Sequence, residues 1–206
     1  TEFSRLLNRH REFVSLYTYG ARFAELRDLV LDCDFNGYRE AIKPRLLIAG
    51  YDLKFIKPSF GVIAKYYQIK VDEWTSHEGH DEAKSQALLQ WADIIFCEWM
   101  LGNAVWYSKR KLARQALVIR LHRFEITRNF GFQVNQDNVD VVIGIAPALV
   151  DQIQKRFGFP REKLRYMPNY LAVDRYKREP AAKRANTLAM VGILPKLKGL
   201  HRALEL

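Results

Sequence analysis

From residue 46 onward the sequence repeats one pattern: a short apolar run, a glycine or polar stop, then a stretch with helical spacing. Leu46-Leu47-Ile48-Ala49-Gly50 is the first such run. About four to eight apolar residues closed by a turn residue mark a strand buried on both faces, as in parallel sheets. Runs of this kind recur as Gln68-Ile69-Lys70-Val71, at residues 92–97, 116–121 and 139–145, and as Leu164-Arg165-Tyr166-Met167, which Pro168 ends. Helical spacing separates them at residues 59–67, 82–91, 103–114 and 148–157, the last carrying Leu149, Ile153 and Phe157. Strands alternating with helices predict βαβ units with right-handed crossovers. The expected fold is therefore α/β, a Rossmann-like, doubly wound parallel sheet over residues 45–175. Hydrophobic residues make up 49% of the 206 and aromatics 13%, enough for such a core. That excludes a disordered or low-complexity chain.

Residues 1–44 read as an N-terminal helical extension. Phe3, Leu6, Leu7, Phe13, Val14, Leu16 and Tyr17, then Phe23, Leu26, Leu29 and Val30, recur at three- and four-residue steps. Gly20 and Asn36-Gly37 divide the stretch into two expected helices. At the other end, a polar, basic linker with Pro180 covers residues 175–185, and a seventh strand is expected at Thr187–Gly192. Residues 187–206 are too few to bury a core and are expected to open a second domain that is truncated here. The start, Thr1-Glu2-Phe3-Ser4-Arg5, has no signal-peptide pattern, and no apolar run approaches the ~20 residues of a membrane span. A cytoplasmic chain is expected, peripheral at most to the inner face of a membrane. Cys33 and Cys97 exclude a disulfide framework and suit free thiols in a reducing compartment.

The net charge is +10, from 33 Lys and Arg against 23 Asp and Glu. Such a balance favours an anionic partner: a nucleic acid, a phosphate-bearing ligand or an anionic membrane. The charge concentrates at residues 155–184, with ten basic and three acidic residues, and at 109–123, with six basic and none acidic.

Several chemistries lack their motifs. No G-x-G-x-x-G follows the first strand, where Gly50-Tyr51-Asp52-Leu53 stands, and no Walker loop or G-x-S-x-G elbow occurs. That disfavours a Rossmann dehydrogenase or epimerase. His77-Glu78-Gly79-His80-Asp81 looks metal-like, yet glycine interrupts it and it lacks i,i+4 histidine spacing, so a cleft-rim loop is expected rather than a metal site. Aromatic and basic residues interleave at Arg123-Phe124, Phe130, Phe132 and Tyr166, as on a platform for single-stranded nucleic acid, but no nucleic-acid-binding signature accompanies them.

The last third carries the most specific pattern. Val142-Ile143-Gly144-Ile145-Ala146-Pro147-Ala148-Leu149 leads into a helix, then Phe157-Gly158, then Lys163-Leu164-Arg165-Tyr166-Met167-Pro168-Asn169. After the linker stands Val191-Gly192-Ile193-Leu194-Pro195-Lys196-Leu197-Lys198-Gly199-Leu200. This order resembles the retaining GT-B glycosyltransferases of family four, the "group one" sugar transferases. The resemblance implies an acceptor-binding first domain and a nucleotide-sugar-binding second domain. It implies donor contacts at Gly192, Lys198 and Gly199, with glycine and helix amides near the diphosphate and Lys198 as a point charge. It implies no metal and no cofactor, the nucleotide-sugar being a substrate. The sequence departs from the family at Ile193, where an arginine is usual, at Ala146, where a serine is usual, and in the lengthened Asn169–Asp174 segment.

The expected activity of the full enzyme is transfer of a sugar from a nucleotide-sugar to an acceptor hydroxyl, in polysaccharide or glycolipid assembly. The chain alone is expected to be inactive. The alternative is a non-catalytic basic α/β module binding nucleic acid or another polyanion. In doubly wound sheets ligands meet the carboxyl ends of strands. That rule nominates Tyr51, Asp52, His80, Glu98, Asn103, Glu125 and Asn169 for the acceptor cleft. For Glu98 the favoured reading is a buried carboxylate bonded to backbone amides. His122 follows the fourth strand, where the resembled family often has a histidine that contacts the transferred sugar. It is expected to face the cleft as the catalytic residue, the other reading being a histidine that fixes the loop through Glu125.

Overall fold

The computed structural model describes residues 35–171 and the single residue Arg202. The chain divides into two compact units, Thr1–Leu171 and Ala172–Leu206. The helices expected before residue 35, the linker, the seventh strand, and Gly192, Lys198 and Gly199 lie outside the described residues.

Helix α1 (Phe35–Ala41) precedes β1 (Arg45–Gly50), and Asn36-Gly37, expected as a break, sits within its first turn. The order continues as α2 (Phe60–Ile63), β2 (Gln68–Glu73), α3 (Glu82–Trp91), β3 (Ile94–Glu98), α4 (Gly102–Arg110) and β4 (Ala116–Leu121). It ends with β5 (Val141–Gly144), α5 (Pro147–Phe157) and β6 (Leu164–Tyr166). The six strands form one sheet in the order β2-β1-β3-β4-β5-β6, and every pairing is parallel. This is the expected Rossmann-like α/β architecture.

Strand β1 shows why its sequence is apolar throughout. Leu47 and Ala49 point into a core built with α3, α4 and α5, through Leu89, Ala104, Tyr107, Leu149 and Ile153. Leu46 and Ile48 point the other way, into a second cluster with Leu53, Ile56, Phe60 and Ile63. A strand covered on both sides has no polar face to alternate with. The chain leaves β1 for β2 on one side and returns past β1 to β3, so the switch point lies between the ends of β1 and β3.

Two helices are shorter than their periodicity predicts. Residues 57–63 form a 3-10 turn, Lys57–Ser59, and the single turn of α2, since Gly61, Val62 and Ile63 are weak helix formers. Helix α4 stops at Arg110 because the next residues have other partners. Lys111 pairs with Asp140 at 2.8 Å, and the Leu112 N–H donates to Gln115 Oε1 at 2.9 Å. The connection from β4 to β5 contains three 3-10 turns, Phe124–Thr127, Phe130–Phe132 and Gln136–Asn138. Among the described residues no helix is long and apolar enough to cross a membrane.

Candidate functional site

The loop between β2 and α3, residues 74–81, forms one wall of the site. Asp81 caps α3, its Oδ1 accepting the Lys84 N–H at 3.0 Å. The Gly102 N–H donates to the His77 carbonyl at 2.9 Å, tying the loop to the start of α4. A Cβ on Gly102 would stand 2.6 Å from that carbonyl, so only glycine permits the approach. His77 then meets Tyr51 edge-on at 5.4 Å and tilts against Phe124 at 5.6 Å.

These contacts frame an open cleft of about 610 Å³ lined by Tyr51, Ser76, His77, Glu78, Arg128 and Phe130. A second cavity of about 250 Å³ shares Glu78 and Phe130 with it and reaches Trp74, His80, Trp106 and Lys109. A third, about 300 Å³, opens beside Tyr51 and Asp52. Burial alone would raise the Asp52 carboxyl. The hydrogen bonds and charge of Lys54, with a smaller contribution from His122, outweigh it and hold the group below its usual value.

Beneath the β3–β4 edge lies a buried charge network. Glu98 and Arg120 are register partners, so their side chains leave the sheet on one face. Arg120 Nε donates to Glu98 Oε2 and an Arg120 terminal nitrogen to Oε1, both at 2.7 Å, a bidentate pair. His122 Nε2 lies 3.0 Å from the same Oε1. The His122 side chain is 5% exposed, its ring stacked on Phe55 at 4.8 Å and tilted against Trp99 at 4.1 Å. Its backbone N–H donates to Glu125 Oε1 at 3.1 Å, which also accepts the Met100 N–H at 3.1 Å. Burial pushes the Glu125 carboxyl up to about 7, against the lowering effect of those amides and with a small push from Glu98. Its Oε2 is buried without a hydrogen-bond partner among the described residues. Trp99 holds a left-handed backbone, φ 70°, and its indole N–H donates to the Asp52 carbonyl at 2.6 Å.

A second polar chain starts from Asp72 on the opposite face of the sheet. Asp72 Oδ2 accepts from the Trp74 indole N–H at 2.9 Å, the Ser85 hydroxyl at 2.7 Å and the Tyr107 hydroxyl at 2.8 Å. Burial first, then the Asp72 charge, raises both the Tyr107 hydroxyl and the Cys97 thiol, so neither ionises readily. Ser85 Oγ in turn lies 2.7 Å from His80 Nδ1. The His80 ring stacks on Trp74, centroids 3.9 Å apart and planes 4° apart, and meets Trp106 edge-on at 5.2 Å.

Of the residues nominated from sequence, Tyr51, Asp52 and His80 line cavities. Glu98 does not: it is fully buried, bonded to Arg120 and His122 rather than to backbone amides. Asn103 is buried too, its Nδ2 donating to the Ala49 and Glu98 carbonyls at 2.8 and 3.0 Å, a tie between strand ends. Glu125 is buried beneath the loop it fixes. Asn169 follows β6 with Oδ1 buried and without a hydrogen-bond partner among the described residues. His122 sits at the expected strand end but does not face the cleft, because the charge pair draws its ring inward. The sequence reading missed Arg120, Asp72, Ser85, Trp106 and Arg128. An arginine inside the apolar run Leu117–Leu121 was the visible signal for the first of these. Among the described residues no cluster of three or more His, Cys, Asp or Glu could hold a metal.

The chain matches no protein-family model and no curated protein. The fold and site define an α/β domain with a polar, aromatic-lined cleft along the carboxyl edge of its sheet.

Proposed function

We propose that residues 45–171 are the acceptor-binding domain of a sugar transferase that uses a nucleotide-sugar donor. The observation that carries the reading is the cleft of about 610 Å³ by the switch-point loop of β1. Its lining pairs ring faces, Tyr51 and Phe130, with carboxylate, hydroxyl, imidazole and guanidinium groups. Sugars present that combination in reverse, apolar C–H faces with hydroxyls around the rim. The motif order between Asp140 and Leu200 adds the transferase expectation.

In this reading the acceptor oxygen forms a bond to the donor's anomeric carbon, the bond to the diphosphate breaks with its electron pair going to the leaving oxygen, and the diphosphate takes up the proton that the acceptor hydroxyl gives up. Lys198 and the amides after Gly192 would offset the leaving charge, as the resemblance implies. Tyr51, His77, Glu78 and Arg128 orient the acceptor. His122 acts as a positioning residue: held by Glu98, it packs against Phe55 and Trp99, whose indole N–H holds the Asp52 carbonyl in the loop after β1. The basic stretch that begins in the last turn of α4 gives less support to an anionic membrane than its composition implies. Lys111 pairs with Asp140, Arg110 with Glu82 and Arg114 with Asp93.

Saturation-transfer NMR with a panel of disaccharides tests the reading. Transfer to sugars that disappears in Tyr51→Ala supports it. Binding of single-stranded DNA at matched salt, with no sugar bound, supports the polyanion module instead.

A further inference from the structure

The Asp72–Ser85–His80 chain has a direction, set by proton counting. Ser85 has one hydroxyl hydrogen, and it goes to Asp72 Oδ2 at 2.7 Å. Ser85 Oγ can therefore only accept from His80, so the neutral imidazole carries its proton on Nδ1. The other nitrogen, Nε2, has no partner among the described residues and is left as a bare acceptor. The ring cannot turn to satisfy it elsewhere, because Trp74 stacks on its face and Trp106 closes its edge.

His80 lines the cavity of about 250 Å³ beside α4. Three further features of that cavity narrow what fits. Trp106 and Phe130 give it aromatic walls. Lys109 lines it with an exposed ammonium that has no ion-pair partner among the described residues, whereas neighbouring Arg110 lies 4.5 Å over the Trp106 ring and reaches Glu82 at 3.3 Å. Glu78 stands at the rim shared with the larger cleft, a carboxylate able to accept hydroxyl hydrogens.

The geometry points to a binding site for a phosphate-bearing polyhydroxy compound, with His80 Nε2 accepting a hydroxyl hydrogen and Lys109 meeting the phosphate. Asp72 and Ser85 are positioning residues that fix the tautomer and plane of the imidazole. The site needs no donor nucleotide, so it stands whether or not the transferase reading does.

Calorimetry on the whole chain tests it with three probes: glucose 6-phosphate, methyl glucoside and inorganic phosphate. Glucose 6-phosphate should bind more tightly than either other probe by about tenfold or more. Lys109→Ala, which removes an exposed side chain, should bring its affinity down toward that of methyl glucoside. His80→Phe keeps the stack on Trp74 but removes both nitrogens, and should weaken binding by about fivefold or more. Inorganic phosphate binding as well as glucose 6-phosphate, absence of binding, or unchanged affinity in both variants would overturn the assignment.

Discussion

Two histidines mark two polar networks at the carboxyl edge of one sheet, and the networks end differently. His122 ends on a buried ion pair: Nε2 is committed to Glu98, and Phe55 and Trp99 cover the ring. His80 is also held by a buried carboxylate, but through a serine and through Nδ1, and the residue lines a cavity. Position after a strand was the same signal for both. What separates them is which ring nitrogen the protein uses. A histidine bonded at Nε2 to a buried charge supports its surroundings; one bonded at Nδ1, with Nε2 left as an acceptor, is arranged to meet a ligand.

Breaking the closed network should have the largest effect on stability. Arg120→Met leaves Glu98 buried without its bidentate partner and should cost about 3–5 kcal/mol, seen as a lowered midpoint in urea unfolding. A change below about 1 kcal/mol would show that Glu98 is neutralised or hydrated, and the contrast between networks would weaken.

Glu125 gives the same region a pH signature. Its folded value is raised from 4.5 to about 7, so the native state holds a proton there that the unfolded state has released. Stability from this group is present below about pH 4.5 and is lost as pH rises toward about 7, by at most about 3 kcal/mol. In Glu125→Gln the part of the pH dependence between those values should flatten. Parallel stability profiles for the two proteins would contradict the buried Oε2.

The open network should respond less. Ser85→Ala removes one donor to Asp72 and the acceptor of His80, while Trp74 and Tyr107 still hold the carboxylate. A loss of about 1–2 kcal/mol is expected, with a larger proportional effect on glucose 6-phosphate binding because the His80 tautomer is no longer fixed. The smallest effect belongs to Lys109→Ala, within about 0.5 kcal/mol in stability, since the side chain is exposed and has no ion-pair partner among the described residues.

The sheet was legible in the sequence because its strands are buried on both faces. The run Leu46–Gly50 and the span Glu82–Trp91 read almost as they stand, the latter because Asp81 supplies a cap in the right place. The stretch 59–67 misled because apolar spacing persists there after helix propensity has failed. For the site, the strand-end rule found the right loops but could not find directions. Glu98 and Asn103 follow or end β3 as expected, yet both point inward. Their inward partners, Arg120 and the Ala49 carbonyl, come from other strands, and a pairing such as Glu98 with Arg120 exists only once β3 and β4 are in register. The Asp72–Ser85–His80 chain was hidden for the same reason, since it joins β2, the loop after it and α3.

The most direct test of the contrast is the ¹⁵N spectrum of the imidazole rings, recorded on the whole chain before and during addition of glucose 6-phosphate. His80 should carry its neutral-form proton on Nδ1, and its Nε2 signal should move as ligand is added, while the His122 signals stay in place. Movement of the His122 nitrogens with those of His80 unchanged would contradict the account.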